Sequence, residues 1–185
     1  LPGIGNVGKI ASDYLIEGLK AEKIAEISSK EFPNLVIINE DNLVEMPKIS
    51  VWYKKTKNQE LYFIMGDFQP STESGSYKLA ETILEFAEKQ GIKEIITLGG
   101  VGLEAVSEEP EVYVTGNNKP AIKKLEKSGA KTEVYGKVGT IIGVTGLLLG
   151  MSKKPSSSLL VETTFEPGIT AITSAKQLIE IIKKN

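Results

Sequence analysis

Apolar positions along the chain switch between helical and strand-like spacing, and the switches predict alternating helices and strands. Ile10, Tyr14, Leu15 and Leu19 recur at helical intervals, so a helix is expected over about residues 7–20. Residues 35–39, from Leu35 to Asn39, form a continuous apolar run, the pattern of a strand covered on both faces. Residues 49–53 and 61–65 are apolar and flank a polar stretch, which predicts an antiparallel hairpin. A helix follows over about residues 74–90, with Tyr77, Ala80, Ile83, Leu84 and Ala87 on one face and Gly91 as its stop. Residues 94–98, 112–115, 132–135 and 159–162 have the pattern of further strands. Pro120 opens a short helix that Gly129 closes, and a last helix from about Thr170 turns Ile172, Ala175, Leu178, Ile179 and Ile182 inward. βα units mixed with one hairpin predict an α/β protein, a mixed sheet between helices. One domain over residues 1–185 is expected, because no break in composition divides the chain.

The opening Gly3-Ile4-Gly5-Asn6-Val7-Gly8-Lys9 fits the dinucleotide fingerprint G-x-G-x-x-G and comes close to a P-loop. A P-loop needs a hydroxyl residue after its lysine to reach magnesium, and Ile10 stands there. A dinucleotide fold needs a strand ahead of the glycines, and an acidic residue about 20 positions on to hold the ribose. That strand would lie upstream of Leu1, and the expectation is that a short one precedes it. Glu26 is near the acidic position, but residues 23–28 make only a short, ambiguous strand. What remains is a tight strand-to-helix turn, whose bare N–H groups either hold an anion or simply let helix and sheet approach.

Composition removes chemistry. All 22 basic residues are lysine, and the chain has no arginine, histidine or cysteine. Ser-His-Asp and Cys-His nucleophile systems, thiol redox centres and zinc sites built on His or Cys are therefore excluded. Arginine clamps on phosphate are excluded too. Any catalysis would have to use carboxylates, lysine, tyrosine, hydroxyls and backbone dipoles, which disfavours an enzyme without excluding one; no catalytic residue, metal or cofactor is expected. A net charge of −2, with lysines scattered among glutamates, gives no basic field for nucleic acid. The longest apolar run, residues 139–151, is shorter than the ~20 residues that span a bilayer, so no membrane partner is expected. The absence of cysteine fits a cytoplasmic location.

Glycines, hydroxyl residues and amides follow nearly every expected strand: residues 66–71, 97–102, 115–118 and 162–164. In an open parallel sheet such loops converge on one edge, where ligands bind. The candidate crevice is Gly3, Gly5, Asn6, Gly8, Lys9, Asp67, Gln69, Gly99, Gly100 and Glu162, with Asp67 and Glu162 as its carboxylates. Short βα connections need the same residue types when nothing binds, so a structural role stands beside this one.

The segments PGIGNVGKIASDYLI, GDFQPSTESGSYKLAETILEFAEKQGIKEIITLGGVG, TGLLLG and LLVET resemble, in this order, the archaeal branch of the proteasome assembly chaperone family. The resemblance implies a three-layer α/β/α sandwich with a mixed sheet, similar to nucleoside phosphorylases and related hydrolases. It also implies a non-enzymatic chaperone that binds proteasome α subunits, and homo-oligomers are common among archaeal relatives. Two departures matter. Some relatives end in a hydrophobic-Tyr-X tail that docks between α subunits, whereas this sequence reads Ile182-Lys183-Lys184-Asn185. The arginine and histidine with which phosphorylases grip phosphate are missing, and no segment supplies the second domain of an ATP-grasp enzyme. Trp52, Phe68, Tyr77 and Tyr113 are candidate anchors for a protein partner, each with a core or oligomer contact as its plainer role. The rival function is a nucleotide or nucleoside binder, or an enzyme, that uses the strand-end glycine loops.

Overall fold

Val7, Ala11 and Leu15 recur at helical spacing and are all buried, which lays the first helix, α1 (Val7–Leu19), on the strands behind it. Lys20 ends it in the left-handed region, its N–H turned back to the carbonyls of Ile16 and Glu17. The computed structural model describes residues 1–165 and 168–185. After α1 come β1 (Glu22–Ile27), a two-residue ribbon of β2 (Ile37–Ile38) and β3 (Val44–Glu45), then β4 (Ile49–Lys55) and β5 (Glu60–Gly66). Helix α2 (Glu73–Lys89) is capped by Thr72, whose hydroxyl accepts from the Gly75 N–H at 2.9 Å. Strands β6 (Ile95–Gly102) and β7 (Val112–Gly116) follow, then α3 (Lys119–Lys127), with Asn118 capping its first turn. Helix α4 (Val144–Met151), β8 (Ser156–Thr163) and α5 (Ile169–Lys184) complete the order.

Hydrogen bonding divides the strands. One sheet is β1-β4-β5, antiparallel throughout; the other is β6-β8-β7, with β6 parallel and β7 antiparallel to β8. Alternation along β8 sends Leu159 and Val161 into a core with Val7, Ala11, Ala175 and Leu178, while Leu160 meets Tyr113 and Val134. A further core joins Leu79, Ala80 and Ile83 of α2 to Val144 and Leu148 of α4 and to Ile49 of β4. Among the described residues no helix is long and apolar enough to cross a membrane.

Several expectations are corrected. The single mixed sheet is two three-stranded sheets and a ribbon, because β5 and β6 do not bond to each other. Residues 132–135 form no strand; an isolated bridge, Tyr113 to Lys131, lies just ahead of them. The run at 35–39 yields only the short β2, and its side chains lie largely exposed instead of covered on both faces. Residues 144–151 are a helix that carried no readable period, being apolar on nearly every side. Tyr77 and Ile172, expected inside, are half exposed, while Leu79 and Ile181 take the inward positions.

Candidate functional site

The opening turn is built by positive φ at Gly5 (62°) and Asn6 (57°), closed by Asn6 N–H donating to Gly3 O at 3.0 Å. It lies across the carboxyl ends of β6 and β8, and its glycines are contact points. A Cβ on Gly5 would stand 2.6 Å from Thr163 Oγ1, and one on Gly8 2.5 Å from Leu98 O. A Cβ on Gly100 would meet Ile4 O at 2.6 Å, and one on Gly99 the Leu160 side chain at 3.1 Å. Chain atoms thus crowd the space beside these four glycines, whereas Gly3 is exposed and a Cβ there would have nothing within 4 Å. Lys9 pairs with Asp13 at 2.9 Å and with Asp67 at 3.4 Å. Burial pulls the lysine's pKa down, but the hydrogen bond and charge of Asp13, helped by Asp67, outweigh it and the pKa rises. Gln69 bridges two elements: its amide donates to Pro2 O at 2.8 Å and its oxygen accepts from the Val144 N–H at 3.4 Å. The structure therefore brings the turn, Asp67, Gln69, Gly99 and Gly100 to one edge.

Glu162 belongs to another group. Its carboxylate accepts from the Tyr113 hydroxyl at 2.7 Å and the Glu111 N–H at 3.2 Å, with Lys137 at 3.7 Å. The same hydroxyl reaches Glu111 at 2.6 Å, and Lys131 and Lys137 close the network. Lys131 and then Tyr113 hydrogen-bond Glu111 and hold its pKa down at about 2. Burial, followed by the two carboxylates, pushes the Tyr113 phenol far above its ordinary value. Asp67 and Glu162 share no partner among these contacts, so they do not form a carboxylate pair. The loop at 115–118 does not join the edge either: β7 runs against β8, which puts Gly116 opposite Ser157 at the other end. Asn117 there ties β7 to its neighbours, donating to the carbonyls of Leu149, Ser152 and Lys154 and accepting from the Ser156 N–H. Among the described residues no cluster of His, Cys, Asp or Glu is placed to hold a metal ion.

Of the proposed protein-contact residues, Tyr113 is 1% exposed and committed to the network just described, so it is corrected to a core residue. Trp52 lies half-buried on the central strand β4, paired with Lys23 of β1 and Phe63 of β5, and Phe68 is also half-buried. Tyr77 is the exposed one. The larger apolar surface was missed. Residues 35–46 fold as a hairpin whose Asn39 side chain accepts from the N–H groups of Asp41 and Leu43. The hairpin leaves Leu35, Val36, Ile38 (69% exposed), Leu43, Val44 (66%) and Met46 in solvent. Its base is fastened. Phe32 is buried against α2, Glu31 accepts from Thr72 and pairs with Lys78 at 2.9 Å, and Lys48 bridges Glu45 and Glu26. A sequence signal existed in two apolar runs mirrored across the polar residues 39–42, a spacing that reads as a hairpin.

The chain matches known proteins along its length. Residues 1–184 match the profile of the PAC2 family. The chain is 32% identical over 149 residues to the uncharacterized protein MJ1210 of Methanocaldococcus jannaschii, covering 80% of this chain and 57% of that protein. It thus spans little more than half the length of that relative. The crystal structure of Pyrococcus furiosus PbaB, described as an archaeal proteasome activator, superposes with a TM-score of 0.88 at 32% identity. That match covers 99% of this chain and 80% of PbaB. P. furiosus PbaA, described as an archaeal homolog of proteasome-assembly chaperone, gives 0.80 at 26% identity over 99% of this chain and 73% of PbaA. With its whole length matched by one profile and by these folds, the chain belongs to the PAC2 family.

Proposed function

We propose that this chain is a non-enzymatic, proteasome assembly chaperone-like protein that binds proteasome α subunits, with the hairpin at residues 35–46 as its docking surface. The exposed apolar hairpin is the observation that carries this reading. A contiguous apolar patch held on a fastened base is the ordinary mark of a protein-binding surface. Glu40 and Asp41 at the tip, with Lys48 and Glu26 at the base, give it a charged rim that orients a partner. Likeness to PbaB and PbaA supplies the partner class. The same face offers a contact to a second copy, so homo-oligomers belong to the proposal, as does a cytoplasmic location. Crowding at Gly5, Gly8, Gly99 and Gly100 weighs against the nucleotide-binding alternative, since a phosphate would compete with chain atoms there.

Pull-down against the α subunits of the source organism tests it. The wild-type chain should enrich them at micromolar concentration. A double variant, Ile38→Asp with Val44→Asp, should lose about thirtyfold or more in affinity, as expected on removing a central anchor worth ~2 kcal/mol. Its melting temperature should move little, because exposed substitutions change stability by only about 0.5 kcal/mol. No enrichment above an unrelated protein, or a double variant that binds like the wild type, would discard the reading.

A further inference from the structure

Lysines dispersed along the sequence are gathered by the fold at the amino ends of β6 and β8. The turn after α2, the start of α3 and the turn after α4 meet there. Asn117 ties them, its amide donating to Ser152 O at 3.0 Å and to Lys154 O at 3.1 Å, and the Ile95 N–H donates to Pro155 O at 3.0 Å. These stretches carry Lys89, Lys93, Lys119, Lys123 and Lys153, all exposed and none in an ion pair among the described residues. The carboxylates of the same stretches are already taken: Glu88 pairs with Lys154 at 2.8 Å and Glu94 with Lys124 at 3.4 Å. Lys154, by hydrogen bond and charge, holds the Glu88 carboxyl below its ordinary pKa, and the charges of Lys153 and Lys93 add to it, so these cations lie close together.

Helix-end chemistry accounts for part of this cluster. A cation suits the last turn of a helix, and Lys89 stands in the last turn of α2. Helix α3 does the reverse: it begins here, with Lys119 at its first position and no acidic residue in its first turn, so its positive end faces more positive charge. A local preference set aside with no compensation inside the chain points to a contact outside it. Beside the lysines lies a cavity of about 380 Å³. Gly116 and Asn117 line it together with Leu149 and Gly150 of α4, and Val134 and Val138 give it apolar surface.

We propose that this end of the molecule is a binding site for an acidic segment of a partner protein, its carboxylates on the lysines and one apolar side chain in the cavity. Charge supplies the attraction and the cavity the register, the usual division between a polar rim and a central anchor. Nucleic acid fits the same cations less well. The chain has no arginine to fork onto phosphate, and none of the exposed aromatic side chains lies in these stretches for a base to stack on. The site goes beyond the hairpin reading and does not rest on it. It sits at the amino ends of β6 and β8, whereas the hairpin leads into β4 at Ile49, which pairs with Gly66 at the carboxyl end of β5.

The probe is a fluorescein-labelled peptide of glutamates around one central leucine, followed by fluorescence anisotropy. The wild-type chain should bind it, and the affinity should fall with salt as the screening length contracts to about 10 Å at 0.1 M. Lys119→Glu with Lys153→Glu should weaken binding by about tenfold or more, while Lys30→Glu with Lys176→Glu, an equal change of charge elsewhere on the surface, should leave it unchanged. Gly150→Leu tests the cavity. A Cβ on Gly150 has nothing within 4 Å, so the variant should fold, which a thermal melt checks. It should weaken the leucine peptide by about tenfold and spare a peptide with serine in its place. Ile38→Asp with Val44→Asp should bind the peptide like the wild type, which keeps this test apart from that of the hairpin. No binding by the wild type up to millimolar peptide overturns the proposal, as does an equal loss in the control pair or a folded Gly150→Leu that binds the leucine peptide unchanged. Oligothymidylate bound as tightly, with the same loss in Lys119→Glu with Lys153→Glu, also overturns it, since the surface would then select any polyanion.

Discussion

Gly8 and Gly18 sit in the same helix, and replacing each by alanine should change stability in opposite directions. Alanine is the better helix former by about 1 kcal/mol, a gain available wherever the added methyl meets nothing. At Gly18 a Cβ has nothing within 4 Å, so Gly18→Ala should stabilise by about 0.5–1 kcal/mol. At Gly8 the same Cβ would stand 2.5 Å from Leu98 O and 3.0 Å from Leu98 C, backbone atoms of β6 that cannot swing aside. Helix α1 must then lift off the strand it packs on. Overpacking of this kind costs about 1–3 kcal/mol, and the rigid neighbour argues for the upper half of that range. Subtracting the propensity gain leaves Gly8→Ala destabilising by about 1–2 kcal/mol. For a chain of this size, 1 kcal/mol is about 2–4 °C in melting temperature. Thermal unfolding followed by circular dichroism should show Gly18→Ala raised by about 1–4 °C and Gly8→Ala lowered by about 2–8 °C. Urea titrations should give unchanged slopes, so that shifted midpoints report stability alone. If Gly8→Ala is as stable as Gly18→Ala, the glycine does not exist for close approach, and the turn regains its claim as an anion cradle.

Glu111 and Asn117 provide two further tests. The folded-state pKa of Glu111 is depressed, so its contribution to stability is present above the ordinary carboxylate value and is lost as pH falls from about 4.5 through about 2. Amide exchange around residues 131–138 should therefore accelerate across that window in the wild type and show no such step in Glu111→Gln; an equal step in both would remove the account. Asn117→Ala strands the Ser156 N–H and three carbonyls that the side chain serves, and should cost about 1–3 kcal/mol, read as a lower urea midpoint. Retention of full stability would show that water replaces those bonds freely.

Much of the fold was legible from local pattern. The expected helix over 74–90 is Glu73–Lys89, the last helix begins one residue from its expected start, and the antiparallel hairpin pairs Ile49 with Gly66 through Lys55 with Glu60. Period, caps and turn residues act over a few positions, and a single sequence displays them directly. Composition likewise removed imidazole, thiol and guanidinium chemistry before any geometry was known. The candidate edge was half legible: the turn, Asp67, Gln69 and Gly99–Gly100 do meet, while Glu162 turns to Tyr113.

What the sequence could not determine depends on partners far along the chain. Strand direction is one case, since β7 lies antiparallel to β8 and moves the 115–118 loop to the opposite end. Exposure is another. The run Leu35 to Ile38 has the composition of a buried strand, yet it lies largely in solvent. The Glu162 network joins residues up to 51 positions apart, and no local rule links Glu111 to Glu162. Local periodicity tells which side chains share a face; what covers that face is decided by tertiary packing, in which contacts between distant segments compete for the same apolar area.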